Sequence, residues 1–274
     1  MTAGLRKTAA LLALAVMFTG CSAPAESESG AALPDVVGSM DIRYAEQFSV
    51  DYLADGSALA EVADGRRYLI IPDGGEVPEH LPEDVTVISQ PENIYLASSS
   101  SMDLFSSLDC LGDILASSTP ESGWKLPEIA QAMADEDILY AGKYSSPDIE
   151  LLMSEGCDLA IENMMIYHSP KTAEQIESCG IPVFIERSSA ESHPLGRLEW
   201  VRLYGLMLGK SDEAEKFFSE KCSLLDEVTS RESTGCTAAF FYTSEAETMR
   251  GSIPLPEIAA LCRARRVPLI VDAS

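Results

Sequence analysis

The chain has 274 residues and a formal net charge of −25, because 44 acidic residues outnumber 19 Lys and Arg residues. This negative charge argues against nucleic acid as a partner and suits cationic or metal-bearing ligands. A hydrophobic content of 46% favours a packed core over a disordered chain, and the length allows one large domain or two smaller ones.

The N-terminus has the organisation of an export signal. MTAGLRK carries two positive charges, TAALLALAVMF is an apolar run, and TGC follows. The run is too short to span a bilayer, so we expect a signal peptide over residues 1–20. FTGC resembles the lipobox of bacterial lipoproteins, which implies that Cys21 is lipidated and holds the chain on the extracytoplasmic face of the cell membrane. An ordinary signal peptide followed by an incidental Cys is the alternative.

The next segments change in character twice. Residues 21–39 are mostly small and polar, with Pro, and are expected to form a flexible tether. From Phe48 to Pro72, two ADG turns separate three runs with alternating apolar residues. This pattern predicts a small antiparallel meander.

Strand and helix patterns alternate from residue 94 onward. Strands are predicted at IYLAS (94–98), ILYA (138–141), DLAIE (158–162) and PVFIE (182–186). Helices are predicted at MDLFSSLDCLGD, around PEIAQAMADE, from Ser146 to Gly156 with Ser146 as cap and Pro147 first, and at SPKTAEQIESCG. This βαβ series predicts an α/β lobe over 40–210, a parallel sheet with helices on both faces.

Two further helices follow the lobe. Residues 194–210 form an amphipathic pattern, and residues 211–230 predict a long connector helix of about 30 Å, long enough to join two lobes. CTAAFFYT (236–243) restarts a strand pattern, as though it opened a second α/β lobe. Only about 30 residues remain, so that second lobe is expected to be incomplete.

The chain lacks the patterns of common catalytic sites. GxSxG, GxxxxGK[ST], GxGxxG and HExxH are absent, and nothing assembles a nucleophile, a base and an oxyanion hole. His168 and His193 could ligate a metal, but loop histidines are more often ordinary polar residues. We therefore predict a binding protein without catalytic residues, metal site or cofactor.

Polar residues follow the predicted strands at their carboxyl ends, where parallel α/β folds bind ligands. The hydroxyls of Ser98 to Ser101 and the helix N–H groups beside them could hold an anion, and simple helix capping is the alternative. Met164 is expected in the strand-end core or the pocket lining. The candidate ligand-binding residues are Ser98, Ser99, Ser100, Lys143, Tyr144, Met165 and Arg187.

Apart from Cys21, the cysteines are scattered and form no CxxC pair. They are Cys110, Cys157, Cys179, Cys222, Cys236 and Cys262. Neither a zinc site nor a dense disulfide framework is indicated. An exported chain could form one or two bridges, which the sequence does not pair, and buried free thiols are the simpler expectation.

Several of these segments resemble the class III substrate-binding proteins of ABC importers, which are receptors for iron–siderophores, haem and cobalamin. The segments are IYLASSSSMDLFSSLDCLGDI, SPDIELLMSEGCDLAIE and GIPVFIERSSAESHPLGRLEW with GKSDEAEKFF. The resemblance covers about 40–243 and implies two α/β lobes joined by one rigid helix, for which 211–230 is the candidate. Ligand would lie between the lobes, with no covalent chemistry.

The resemblance also implies partners. Receptors of this family carry an exposed acid on each lobe that pairs with arginines of the permease, and Glu150 stands at the matching position of the first lobe. A solvated acid favoured by the helix dipole is the alternative. The implied partners are an ABC permease with its ATPase and a small-molecule metal chelate, such as a siderophore or haem complex, bound by a monomeric receptor.

The final segment departs from the resemblance. MRGSIPLPEIAALCRARRVPLIVDAS is basic for its length and resembles a helix–strand unit of fold-type I pyridoxal-phosphate enzymes, in which Asp272 would contact the pyridine nitrogen. The lysine motif and phosphate loop of those enzymes are missing. Residues 236–274 are therefore expected to be a truncated or foreign segment joined near 243–250, or a divergent start of the second lobe.

The expected function is the membrane-anchored solute-binding component of an ABC importer for an iron complex. Two alternatives stay open at this point. One is a surface binding or scaffold module without a role in transport. The other is a fragment of a pyridoxal-phosphate enzyme, contributed by the tail.

Overall fold

The structure, a computed structural model, describes residues 33–230, 240–243, 255–265 and 269–272. The predicted signal peptide, Cys21, most of the predicted tether and Cys236 lie outside the described residues. Within the ranges that it describes, no helix is both long enough and apolar enough to cross a membrane.

An N-terminal sheet of five strands precedes the parallel lobe. Its strands are β1 (Val36–Ser39), β2 (Phe48–Leu53), β3 (Ala58–Val62), β4 (Arg67–Ile71) and β5 (Val85–Ser89), arranged in sequence order. β1 to β4 are antiparallel and β5 is parallel to β4. The predicted meander is confirmed, while the last part of the predicted tether is a strand paired with β2.

A second sheet of five strands forms the centre of the lobe. Its strands are β6 (Ile94–Leu96), β7 (Ile114–Ser117), β8 (Leu139–Tyr140), β11 (Leu159–Asn163) and β12 (Val183–Glu186). They lie in the order β12-β11-β6-β7-β8, and every neighbouring pair is parallel. A small hairpin of β9 (Gly142–Lys143) and β10 (Ser146–Pro147) follows β8.

Helices cover both faces of this sheet, as the sequence predicted. They are α1 (Met102–Ser107), α2 (Pro127–Ala134), α3 (Ile149–Ser154), α4 (Pro170–Ser178), α5 (Pro194–Met207) and α6 (Ser211–Ser230). The first face, which includes Phe184, packs with α1, α2, α5, α6 and the N-terminal sheet. The opposite face, which includes Tyr95, packs with α3 and α4. The two faces follow from the alternation of side chains along each strand.

Two helix boundaries differ from the predictions. The Ser146–Pro147 dipeptide does not begin a helix but forms β10, and Asp148 is the N-cap of α3, with a side-chain oxygen that accepts a bond from Leu151 N–H at 3.0 Å. The predicted cap was wrong because the backbone of Ser146 and Pro147 pairs with β9. The predicted first helix is also shorter, since α1 ends at Ser107 and a 3-10 turn occupies Leu111–Asp113.

Two buried carboxylates attach the segment between β1 and β2 to α5 and to the loop before it. Glu199 accepts bonds from the N–H groups of residues 43–45 at 2.7 to 3.2 Å. Glu191 accepts bonds from the N–H groups of residues 46 and 47 and from the indole of Trp200. Because buried N–H groups require partners, these carboxylates join the N-terminal sheet and the parallel lobe into one packed unit.

The helix predicted over 211–230 is confirmed as α6, which packs against α5. Gly205 lies so close to α6 that an added Cβ would be 2.4 Å from the Cβ of Ala214. Beyond α6, β13 (Phe240–Thr243) pairs in parallel with β14 (Leu269–Asp272), and α7 (Leu255–Arg265) lies between them in the chain. This is a βαβ unit, although the inter-lobe role of α6 stays a prediction.

The described cysteines are free thiols, as the simpler expectation had it. Four of them, Cys110, Cys157, Cys222 and Cys262, are buried, and Cys179 is half-buried. Burial raises the pKa of Cys110 and of Cys157 to about 11. These two thiols therefore behave as small apolar core groups rather than as reactive thiolates.

Candidate ligand-binding site

The strand order of the parallel sheet contains one reversal of direction. From β6 the chain proceeds outward to β7 and β8, and then returns to β11 and β12 on the other side of β6. The segment after β6 leads to α1 on one face, whereas the segment after β11 leads to α4 on the opposite face. Such a reversal opens a crevice at the carboxyl ends of the strands, where ligands bind in open α/β sheets.

A cavity of about 240 Å³ occupies this crevice. The segments after β6, β11 and β12 line it with Ser98, Ser99, Ser100, Asn163, Met164, Met165 and Ser189. The structure thus brings four predicted residues, Ser98 to Ser100 and Met165, into one site. It adds Asn163 and Ser189, whose positions just after predicted strands were the sequence signal available for them.

The other predicted residues lie elsewhere. Lys143 is exposed on the β9–β10 hairpin, beside the edge strand β8, and Tyr144 packs against the core beneath α3 and α4. Arg187 follows β12, but its guanidinium donates to Gln47 Oε1 at 3.2 and 3.3 Å and to Tyr167 Oη at 3.2 Å. These bonds tie it to the segment before β2 and to the 3-10 helix Met164–His168, and Arg187 is not among the described residues that line the cavity.

Glu186 lies behind the cavity wall, at the carboxyl end of the strand predicted over 182–186. It is the last residue of β12 and is fully buried. One of its oxygens accepts bonds from the hydroxyls of Ser98 at 2.8 Å and Ser100 at 3.3 Å, and the other accepts a bond from Ser188 N–H. The serine hydroxyls are therefore anchored by a carboxylate.

Asn163 shapes the other side of the cavity. Its Oδ1 accepts a bond from Met165 N–H at 2.8 Å, and its Nδ2 donates to the carbonyl of Ala97 at 3.2 Å. These bonds turn the chain from β11 into the 3-10 helix Met164–His168 and tie that turn to the end of β6. Met165 is half-exposed at the cavity, with a polarisable thioether suited to varied ligand surfaces.

Ser101 faces the protein core instead of the cavity. Its hydroxyl forms a 2.8 Å hydrogen bond with Tyr204 Oη and does not cap α1. Burial, together with the negative charge of Glu186, raises the pKa of Tyr204 well above its ordinary value. Tyr204 therefore stays protonated and holds the start of α1 in place.

A second buried acid lies on the opposite face of the sheet. Both carboxyl oxygens of Glu162 on β11, and the hydroxyl of Tyr95 on β6, lack hydrogen-bond partners among the described residues. Burial raises the pKa of Glu162 to about 8. The group is therefore largely neutral at pH 7, which reduces the cost of burying it.

No family model matches the chain. A curated relative, an uncharacterized lipoprotein of Methanocaldococcus jannaschii, is 23% identical over 173 residues, which cover 58% of this chain and 40% of the relative. The chain therefore spans less than half of that protein's length.

The chain is also similar to solved periplasmic binding proteins. The periplasmic haem-binding protein HutB of Vibrio cholerae is 16% identical with a TM-score of 0.44, over 55% of this chain and 54% of that one. The petrobactin-binding protein YclQ of Bacillus subtilis is 12% identical with a TM-score of 0.44, over 69% and 58%. A periplasmic binding protein of Veillonella parvula is 18% identical with a TM-score of 0.47, over 62% and 57%.

Proposed function

We propose that this protein is the membrane-anchored solute-binding component of an ABC importer. It binds an iron complex, such as a siderophore, haem or a related chelate, and delivers it to a permease. The observation that carries the proposal is the cavity at the carboxyl edge of the parallel sheet, at the reversal between β6 and β11. Loops from three strands converge there, as a ligand site requires.

The chemistry of the cavity suits binding rather than catalysis. The described residues that line it supply serine hydroxyls, one amide and two thioethers, and include no histidine, cysteine or lysine. Ser98 and Ser100 are bonded to Glu186, and among the described residues no imidazole is hydrogen-bonded to them as a general base would be. Such a lining offers adaptable polar and polarisable contacts and leaves a bound solute chemically unchanged.

The size of the cavity indicates how a chelate would bind. A volume of about 240 Å³ accommodates one face of a siderophore complex or haem, not the whole molecule, since drug-sized ligands occupy about 300 to 1,000 Å³. We infer that a second surface completes the site. The βαβ unit of β13, α7 and β14 is the proposed start of that second lobe, with α6 as the connector.

Glu150 is the proposed contact with the permease. It is exposed in the first turn of α3. A crossover helix runs antiparallel to its strands, so its first turn lies at the carboxyl edge of the sheet. Glu150 therefore lies at the edge that also carries the cavity, where a permease would receive released ligand.

The proposed function is tested by titrating the protein with ferric hydroxamate, ferric catecholate and haem while tryptophan fluorescence is recorded. Saturable one-to-one binding of at least one of these chelates is expected. The variant Ser99→Trp, which places an indole in the cavity at an exposed position, should weaken that binding by about tenfold or more.

The matched control is Ser145→Trp, an exposed serine in the hairpin turn outside the cavity. It should leave the affinity unchanged. Equal loss in both variants would move the site away from the cavity, and the absence of binding to every chelate would remove iron complexes from the proposal.

A further inference from the structure

Two loops that line the cavity are joined by side chains outside it. The loop after β11 contributes Met164 and Met165 to the lining, and the loop after β12 contributes Ser189. Arg187, in the second loop, donates from Nη1 to the hydroxyl oxygen of Tyr167, in the first loop, at 3.2 Å. Neither of these two side chains is among the described residues that line the cavity. The bond therefore connects the two loops without occupying the site.

The same hydroxyl is attached to the N-terminal sheet. Tyr167 Oη donates to Asp64 Oδ2, in the turn between β3 and β4. Arg187 donates through Nε and Nη2 to Gln47 Oε1, just before β2, at 3.3 and 3.2 Å. A backbone hydrogen bond of 2.9 Å joins Ala63 to Gln47, so both anchoring side chains belong to one end of that sheet. We call this chain of side chains the tyrosine bridge, and its members in order are Asp64, Tyr167, Arg187 and Gln47.

The tyrosine bridge uses both hydrogen-bonding functions of the phenol. The hydroxyl of Tyr167 gives its proton to a carboxylate, and its oxygen accepts from a guanidinium. Hydrogen bonds to charged groups are stronger than those between neutral groups. The side chain of Asp64 is only 15% exposed, which limits competition from water. Burial, together with the neighbouring carboxylate, raises the pKa of Tyr167, so the phenol keeps the proton that it donates.

Tyr167 lies on the short helix that forms one side of the cavity. In the 3-10 helix Met164–His168, residues three apart lie on the same side, so Tyr167 lies over Met164. Asn163 holds the first turn of this helix, and Ile166 is buried in the core. The phenol hydroxyl attaches the other end. Because the hydrogen bonds of a 3-10 helix have poor geometry, the orientation of this cavity wall depends on such attachments.

We propose that Tyr167 is a positioning residue of the ligand site. Through Arg187 and Asp64 it fixes the loops after β11 and β12 relative to each other and to the N-terminal sheet, and it thereby preorganises the cavity for its solute. Arg187, which the sequence suggested as a ligand contact, acts through Tyr167. The inference rests on the proposed function, because it takes the cavity to be the ligand site. It makes the N-terminal sheet a determinant of affinity.

Tyr167→Phe tests the tyrosine bridge, because it keeps the ring and removes only the hydroxyl. The side chain is 42% exposed, so the variant is expected to fold. Without any ligand, amide hydrogen exchange followed by NMR should be about tenfold faster at Met165 and Ser169, whose N–H groups are bonded within this turn. Amides of the central strands β6 and β11 should exchange as in wild type. Unchanged exchange in the turn, or equal acceleration in the turn and the central strands, would contradict the positioning role.

The second measurement is the affinity for ferric hydroxamate, ferric catecholate and haem, followed by tryptophan fluorescence. The affinity of Tyr167→Phe for any chelate that wild type binds should fall by about tenfold. The matched control is Tyr52→Phe, which removes a hydroxyl from a tyrosine that is 36% exposed at the other end of β2. It should change neither hydrogen exchange nor affinity. Unchanged affinity in Tyr167→Phe, or an equal loss in both variants, would overturn the proposal.

Arg187→Met separates positioning from direct contact with the ligand. If Arg187 acts through Tyr167, removing the phenol hydroxyl should cost less affinity in the Arg187→Met protein than in wild type, because residues of one hydrogen-bond network are not additive. An equal cost in the two proteins would mean that Arg187 and Tyr167 act independently, and the tyrosine bridge would not position the site.

The same measurements separate this inference from the proposed function. If no ferric chelate binds while Tyr167→Phe speeds exchange only in the turn, the inference stands and the iron-complex proposal fails. If a chelate binds to Tyr167→Phe and to wild type with the same affinity, the proposed function stands and the inference fails.

Discussion

Replacing Glu162 by Gln is expected to remove a pH dependence of stability that the buried carboxyl group creates. Burial raises the pKa of Glu162 from 4.5 to about 8. Between these values the folded protein keeps the proton that the unfolded chain has lost. Unfolding then releases a proton, so the free energy of unfolding falls as the pH rises from about 4.5 to about 8.

The magnitude follows from the two pKa values. Their difference, 8 − 4.5, is about 3.5, and each pKa unit corresponds to about 1.4 kcal/mol. The stabilising contribution of the neutral acid is thus fully present below pH 4.5, and up to about 5 kcal/mol of it is lost by pH 8 and above. That loss is a large share of a typical domain stability of about 5 to 15 kcal/mol.

The assay is urea unfolding, followed by far-ultraviolet circular dichroism, at several pH values from about pH 5 to about pH 9. Glu162→Gln keeps the shape of the protonated acid. Near pH 5 its free energy of unfolding should therefore be lower than that of wild type by no more than about 1 to 3 kcal/mol, the cost of an unpartnered amide. The free energy of unfolding of the variant, minus that of wild type, should then rise by several kcal/mol toward pH 9.

A control substitution separates this effect from general acid repulsion. Glu155→Gln removes an exposed carboxylate at the end of α3, and its difference from wild type should not change over the same range. If the difference between Glu162→Gln and wild type also stayed constant with pH, Glu162 would be ionised in the folded protein and the reasoning from its burial would be refuted.

Three further predictions address packing, docking and anchoring. Gly205→Ala should destabilise the protein by about 1 to 3 kcal/mol in urea unfolding, because the new Cβ would lie 2.4 Å from that of Ala214; unchanged stability would show that α5 and α6 separate easily. Glu150→Arg should abolish uptake of a bound chelate in cells without changing the affinity of the protein for that chelate. Glu155→Arg, at the other end of α3, should preserve uptake. Normal uptake by the Glu150→Arg variant would contradict the docking role. Cys21→Ser should release the protein from the membrane fraction and prevent its labelling by radioactive fatty acid, and continued membrane association would contradict lipidation there.

Local sequence patterns predicted most of the elements of the described lobe. The ADG turns predicted the meander correctly. Their glycines, Gly56 and Gly65, adopt φ of 88°, a conformation that costs glycine little. Two Ser-Pro dipeptides, however, had different outcomes. Pro170 is the first residue of α4, whereas Pro147 belongs to β10. The same local signal was overridden where a neighbouring strand, β9, supplied backbone partners.

Part of the candidate site was predictable from the sequence and part was not. Because parallel strands end at one edge of the sheet, the sequence alone was enough to group Ser98 to Ser100 with Met165. It did not indicate that Lys143 and Tyr144 lie beside the edge strand, because strand order is a property of the assembled sheet.

The hydrogen bonding of Ser98 was decided only by the tertiary structure. From the sequence, a run of serines before a helix indicated an anion site or a helix cap. In the folded protein, Ser98 donates instead to Glu186, a residue 88 positions away in the chain. A hydroxyl can donate one proton, and its direction depends on the acceptor that folding brings beside it. Local sequence therefore determined where the serines lie, while the long-range contact with a buried carboxylate decided where the proton of Ser98 is directed.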